Sequence, residues 1–216
     1  MENTLYKYII KELIRGYKIL LSHYINPKLV IITNIARYKR DYLLIIDEKQ
    51  LLSKTRLIDY IPDKILLANK TIEGVDVDSI IYIEPTSFPW RENRANVLVT
   101  LTPGNYNYKP PRYYEKIYLT RINENLYELR FKKTMEKYRF RIKGLKLLFI
   151  ERPSGLTGKA YDIITHAMIE YGELTIKDTI RLLVSELGID KEEAKRILSK
   201  LLTEKYIRVE KKRIYL

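Results

Sequence analysis

Residues 175–216 read TIKDTIRLLVSELGIDKEEAKRILSKLLTEKYIRVEKKRIYL, and their punctuation decides how this part of the chain folds. Thr175, with Asp178 three residues on, makes a capping-box-like helix start, and Ile180, Leu183, Val184 and Leu187 recur at helical spacing until Gly188 stops them. Asp190 caps the next helix with Glu193 at the reciprocal position, and Ala194, Ile197, Leu198, Leu201 and Leu202 give it one apolar face. Its other face carries Lys191, Lys195, Arg196, Ser199, Lys200 and Thr203. Residues 206–210 and 213–216 are short β-type runs on either side of Lys211 and Lys212, a pattern that predicts a hairpin with a cationic tip.

Upstream, Thr157 stands as an N-cap. Ala160, Ile163, Ile164, Ala167, Met168 and Tyr171 then recur at helical spacing, and Gly172 sits where a left-handed stop is wanted. Glu173 and Leu174 form a short extended link. Residues 157–216 thus resemble the winged-helix superfamily, a variant of the helix-turn-helix. The resemblance covers a little over a quarter of the chain and rests on the order of elements, because the superfamily has no invariant signature. It implies that the third helix lies in the major groove and that the hairpin reaches a flanking groove or the phosphates. Lys191, Lys195, Arg196, Ser199 and Lys200 would then face bases or phosphates, with Lys211, Lys212 and Arg213 in the wing. These types suit the task, since Arg forks onto guanine and Lys neutralises phosphate. A polar helix face also solvates a protein, and many winged helices dock on other proteins.

The 216 residues suffice for one medium domain and one small one, and their balance of apolar and charged residues is that of globular chains. With no cysteine there is neither disulfide nor thiolate metal site, and only His23 and His166 offer imidazole, so neither cofactor nor metal is expected. No apolar run reaches membrane-spanning length, because Lys7, Lys11, Glu12, Arg15 and Lys18 interrupt the first hydrophobic segment. The expectation is a cytoplasmic protein with no membrane partner, and heavy use of Ile, Lys and Tyr is thermophile-like. The net charge of +13 is unevenly shared: residues 157–216 hold 12 basic against 10 acidic residues, and the first 156 hold 28 against 17. A winged helix with so little excess charge would bind phosphate weakly by itself, since non-specific affinity grows with the phosphates neutralised.

In the first 151 residues, Leu5, Tyr8, Ile9, Glu12, Leu13, Tyr17, Leu20, Leu21 and Tyr24 trace one face of a helix running to Pro27. Residues 28–33 and 42–46 read as buried strands, 49–60 as helical, and 75–84 and 97–101 as further strands. Residues 85–95, with the only tryptophan at position 90, and 103–111, rich in Tyr, Asn and Pro, read as loops. From residue 115 the alternation is clearest. Ile117, Leu119, Tyr127, Leu129, Phe131, Tyr138, Phe140 and Ile142 take one side of an antiparallel meander closed by Leu145, Leu147 and Phe149. Arg130, Lys132, Lys137, Arg139, Arg141 and Lys143 take the other, where they could follow phosphates or merely solvate the sheet. The 19 tyrosines offer stacking on unpaired bases, although most occupy positions a core would claim as well.

Residues 33–44 bear a faint resemblance to the minimal nucleotidyltransferase pattern G-S-x-A-R-G followed by D-x-D-L. Ala36, Arg37, Asp41 and Leu44 match it, and Asp76 or Asp78 would stand for the third carboxylate. Thr33 and Asn34 replace the Gly-Ser, and Leu43 replaces a metal carboxylate, which implies at most a degenerate relative. Asp63 and Glu84 as a nuclease pair lack the following lysine, there is no glycine-rich phosphate loop, and no catalytic residue is nominated. The expectation is therefore an α+β chain. It has an N-terminal mixed α/β domain with an antiparallel β-meander at residues 1–151, a linker at 152–156 and a C-terminal winged-helix domain at 157–216. It would bind double-stranded DNA in a sequence-dependent way, as a transcriptional regulator. The alternatives are a structural subunit of a replication or transcription assembly docking through the winged helix, and a degenerate nucleotidyltransferase. Whether it works as a homodimer or in a larger assembly is left open.

Overall fold

A computed structural model of the chain describes residues 4–39, 42–70, 72, 75–89, 95–150, 153–204 and 206–215, apart from the side chains of Asn123 and Ile169. The expected loop at Trp90, Asp41 of the nucleotidyltransferase-like pattern, the start of the linker and the strand end at Leu216 lie outside them. The chain is mixed α and β and divides into two compact units, Met1–Glu151 and Arg152–Leu216. In chain order the first unit holds α1 (Thr4–Leu13), β1 (Tyr17–Leu21), α2 (Ile25–Lys39), β2 (Leu43–Ile46), α3 (Leu51–Lys54), a 3-10 turn (Ile58–Tyr60) and β3 (Leu66–Ala68). There follow β4 (Ser79–Ile83), β5 (Asn96–Leu101), β6 (Glu115–Asn123), β7 (Leu126–Phe131), β8 (Lys137–Lys143) and β9 (Lys146–Ile150). The second unit holds α4 (Gly155–Tyr171), β10 (Leu174–Thr175), α5 (Ile176–Leu187), α6 (Lys191–Thr203), β11 (Arg208–Glu210) and β12 (Arg213–Tyr215).

All nine strands of the first unit join one sheet in the order β3-β2-β4-β5-β1-β6-β7-β8-β9. The six strands from β3 to β6 pair in parallel, and β6 to β9 pair antiparallel. Alternation then assigns the faces. Leu20, Leu43, Ile45, Ile81, Ile83, Leu98, Ile117, Leu129 and Phe140 bury one face with Ile9, Ile10 and Leu13 of α1 and with Leu29, Ile31, Ile32 and Ile35 of α2. On the other face Ile19, Leu44, Ile46, Tyr82, Val97 and Val99 are covered by Phe88 and Tyr114, with Tyr106 and Tyr108 partly buried beside them. The parallel strands β1, β2, β4 and β5 are thus buried on both sides, with aromatic loop residues as the second lid, while β3 at the sheet edge is largely exposed. The expected free loop at 103–111 is in this respect half a core element.

The meander keeps its expected register, whereas the start of the chain does not follow the sequence reading. The helix expected to reach Tyr24 ends at Leu13; Gly16 takes φ +72, and Tyr17–Leu21 becomes a central strand between β5 and β6, followed by His23. Residues 28–33, expected as a strand, lie within α2, whose residues from Pro27 to Ala36 are all buried. A short apolar run buried on every side carries no period, so helix and strand look alike in it. The helix expected over 49–60 shrinks to α3 and the 3-10 turn, and the strand expected from 75 to 84 to Ser79–Ile83.

In the second unit, α4, α5 and α6 enclose a core of Ala160, Ile164, Leu183, Ala194, Ile197, Leu198, Leu201, Ile207 and Ile214. The Thr175 hydroxyl accepts from the Asp178 amide at 3.2 Å, and Asp190 Oδ1 accepts from the Glu193 amide at 2.8 Å, so both expected caps form. Helix α4 begins earlier than expected, at Gly155 with Ser154 as N-cap. Gly158 is held to glycine there, because a Cβ would come within 2.4 Å of the Pro153 carbonyl oxygen. The extended link is a strand: β10 pairs with β12, which pairs with β11, giving a three-stranded antiparallel sheet beside the helices.

Candidate nucleic-acid interface

Helix α6 buries Ala194, Ile197, Leu198 and Leu201 and exposes Lys191, Lys195, Arg196, Ser199 and Lys200. Two of these cations are already engaged. Lys195 donates to Glu192 at 2.6 Å, a bond that holds the Glu192 carboxyl below its usual range, and Lys200 lies 4.0 Å from Glu204. Arg196, four residues before Lys200 and so on the same face, forms no ion pair among the described residues.

Glu210 pairs with Arg213, which leaves Lys211 and Lys212 as a two-residue turn. Both take positive φ, 49° and 66°. Such hairpin turns favour Asn-Gly, because a Cβ in the left-handed region costs roughly 1–2 kcal/mol per residue. Two lysines occupy strained, exposed positions at the tip of the hairpin, while Arg213 is held by Glu173 at 2.5 Å and Arg208 by Glu210 at 3.4 Å. Replacing Lys211 by Asn together with Lys212 by Gly is expected to stabilise this unit by about 1–2 kcal/mol in urea unfolding. If the tip meets duplex phosphates, the same change should also make the salt slope of binding shallower by about 1.8 for two lost contacts. A less stable double variant would show that the tip stores no strain.

In the first unit the register puts Arg130 opposite Lys137, Glu128 opposite Arg139 and Leu126 opposite Arg141, so the expected cations do share one side of β7 and β8. That side is not uniformly basic, however. Glu128 lies among them and accepts from Arg139 Nε at 3.2 Å, with both side chains mostly buried, so Arg139 is tied into the sheet. The Arg130 guanidinium stacks 5.1 Å over the Tyr118 ring. Lys132, Lys137, Arg141 and Lys143 form no ion pair among the described residues, and Lys132, Lys137 and Lys143 are exposed.

Two further assemblies escaped the sequence reading. At the C-terminal ends of β1, β4 and β5, the buried Lys28 ammonium donates to Glu84, to the Ser22 carbonyl at 2.9 Å and to the Thr102 hydroxyl at 2.8 Å. Glu84 Oε2 also accepts from the Thr102 amide at 2.8 Å. Burial lowers the Lys28 pKa while Glu84 opposes the shift. Every donor of the ammonium is used, so the network locks three strand ends together. At the opposite ends of the strands, an open groove of about 940 Å³ is lined by Arg15, Tyr17, Lys18, Arg112, Tyr113, Lys116, Lys132 and Lys133 among others. Its walls come from three separate segments of chain, residues 12–18, 110–116 and 132–134, which no local motif could announce.

The nucleotidyltransferase-like residues Thr33, Asn34, Ala36 and Arg37 sit in the second half of α2, and Leu43 and Leu44 on β2. Asn34 Nδ2 donates to the Val30 and Leu145 carbonyls, and Lys39 lies 3.5 Å from Asp78. Among the described residues no three His, Asp or Glu gather as metal ligands, and no helix is long and apolar enough to cross a membrane. No family model matches the chain, and comparison with curated proteins finds no match.

Proposed function

We propose that the chain binds duplex DNA and regulates transcription, with the C-terminal unit acting as a winged helix whose α6 enters the major groove. The observation that carries this reading is the exposed Arg196, without an ion pair among the described residues, beside the exposed Ser199 on the same helix α6, together with a hairpin whose strained tip is two lysines. The order of three helices followed by an antiparallel hairpin, with β10 closing the small sheet, supports the same assignment. The unpaired cations on the outer side of β7 and β8 add backbone contacts, because cations along a ribbon neutralise phosphates without reading sequence.

Arg196→Ala tests this directly. It is expected to cost roughly 1–3 kcal/mol on a preferred duplex site and much less on random duplex, read by fluorescence anisotropy. Equal loss on both would reduce Arg196 to a phosphate contact.

A second reading is favoured by the ion pairs of the same unit. Lys195, Lys200, Arg208 and Arg213 each have a carboxylate partner, and residues 157–216 balance at only +2. A nearly neutral, charge-mixed face suits docking on protein within a replication or transcription assembly. Duplex affinity that is weak and independent of Arg196 would favour it.

A further inference from the structure

The groove at the N-terminal ends of β1 and β6 combines free cations with an exposed aromatic platform, a pairing the duplex reading does not use. Its two acidic residues are consumed within the unit: Glu115 accepts from the largely buried Lys18 at 2.5 Å, and Glu12 from Arg15 at 3.2 Å. Arg112, Lys116, Lys132 and Lys133 remain without an ion pair among the described residues, and Arg112, Lys132 and Lys133 are exposed. The groove therefore presents net positive charge to solvent. Between these cations lie Tyr17, Tyr113 and Tyr114, with ring centroids 5.0–5.4 Å apart. Tyr114 is buried and carries the cluster into the second core, whereas Tyr113 is 57% exposed. Pro110 and Pro111 stiffen the segment that presents it, which lowers the entropy lost when a ligand stacks there.

An exposed ring held edge-on by Tyr17, tilted against Tyr114 and flanked by cations without an ion pair among the described residues fits a base with its phosphates. A duplex hides its base faces, whereas an unpaired strand offers them to any aromatic platform. The surroundings extend the fit. Lys116 and Lys132 also border the outer side of the meander, where Tyr118 under Arg130 and then Lys137 continue the alternation of ring and cation. We infer that this groove binds unpaired polynucleotide, stacking a base on Tyr113 and holding the backbone with Arg112, Lys116, Lys132 and Lys133. Ribose and deoxyribose strands share this chemistry, and the test carries both. The inference is independent of the C-terminal unit and of any reading of α6.

The full chain is titrated with labelled 12-mers of deoxyuridine and of uridine, and with a duplex of random sequence, at several salt concentrations. Tyr113→Ala is expected to weaken binding of at least one single strand about tenfold, with duplex affinity changed less than twofold, and Tyr113→Phe to restore it, since the ring is the contact. Changing Lys132 and Lys133 together to Gln, at exposed positions that carry no core packing, is expected to make the single-strand salt slope shallower by about 1.4. Which 12-mer loses affinity identifies the sugar. Single-strand binding indifferent to Tyr113→Ala, a Phe variant as weak as the Ala variant, or equal losses on strand and duplex would each overturn the inference. These outcomes are separate from the Arg196 result, so either site can fail alone.

Discussion

Glu84→Ala is expected to destabilise the N-terminal unit by about 3–5 kcal/mol, the largest single-residue effect that the packing implies. The Lys28 and Glu84 side chains are 1% and 8% exposed, and all three ammonium donors are satisfied only while the carboxylate, Ser22 and Thr102 stay in place. Removing the carboxylate leaves a buried cation that must keep its charge unpaired or lose its proton, and either course costs folding energy. Lys28→Met combined with Glu84→Leu removes both charges and should cost far less than Glu84→Ala alone. Urea unfolding followed by far-ultraviolet circular dichroism checks both, read on the transition of the unit that holds the pair. A loss below about 1 kcal/mol in Glu84→Ala would show that water reaches the pair and relieves it.

Separating the two units should cost more affinity than any substitution. The segment 152–216 keeps α6 and the hairpin, but leaves behind the charge excess of the first 151 residues, where 27 basic residues face 17 acidic ones. If Lys137, Arg141 and Lys143 each contact a phosphate, the isolated segment loses about 2.7 from the salt slope of duplex binding. Its affinity should fall by orders of magnitude at low salt and converge on that of the full chain as salt rises. Equal affinity and slope would return the outer side of β7 and β8 to solvation, and would leave the second unit as the whole interface.

How far the sequence foretells this molecule depends on the kind of burial. The meander was legible because β6 to β9 bury only one side by the alternation of Ile117, Leu119, Leu129, Phe131 and Phe140, and a half-buried strand writes its period into the sequence. The caps at Thr175 and Asp190 and the stop at Gly188 were legible for a local reason, since each satisfies backbone groups within three or four residues. β1 and most of α2 hide their structure through burial. Tyr17, Leu20 and Leu21 continue the helical spacing of Leu5, Ile9 and Leu13 by coincidence across Gly16, and α2 is buried on all sides from Pro27 to Ala36. The cations of α6 could be named because they lie within one helix. The Lys28 network could not, as its partners are 56 and 74 residues away, and the groove joins Lys18 to Glu115 across 97. Glu128 was visible on the outer sheet face, but only the register pairs it with Arg139 and removes that arginine from the free cations.

The central claim, that α6 reads base sequence in duplex DNA, is tested most directly by selecting bound fragments from random duplex with the full chain and with the Arg196→Ala variant side by side. The account predicts that the unaltered protein enriches a short motif and that the variant enriches the same motif with specificity relaxed at one position, where Arg196 met the base edge. Fragments with no common motif from either protein, or an identical motif from both, would contradict it.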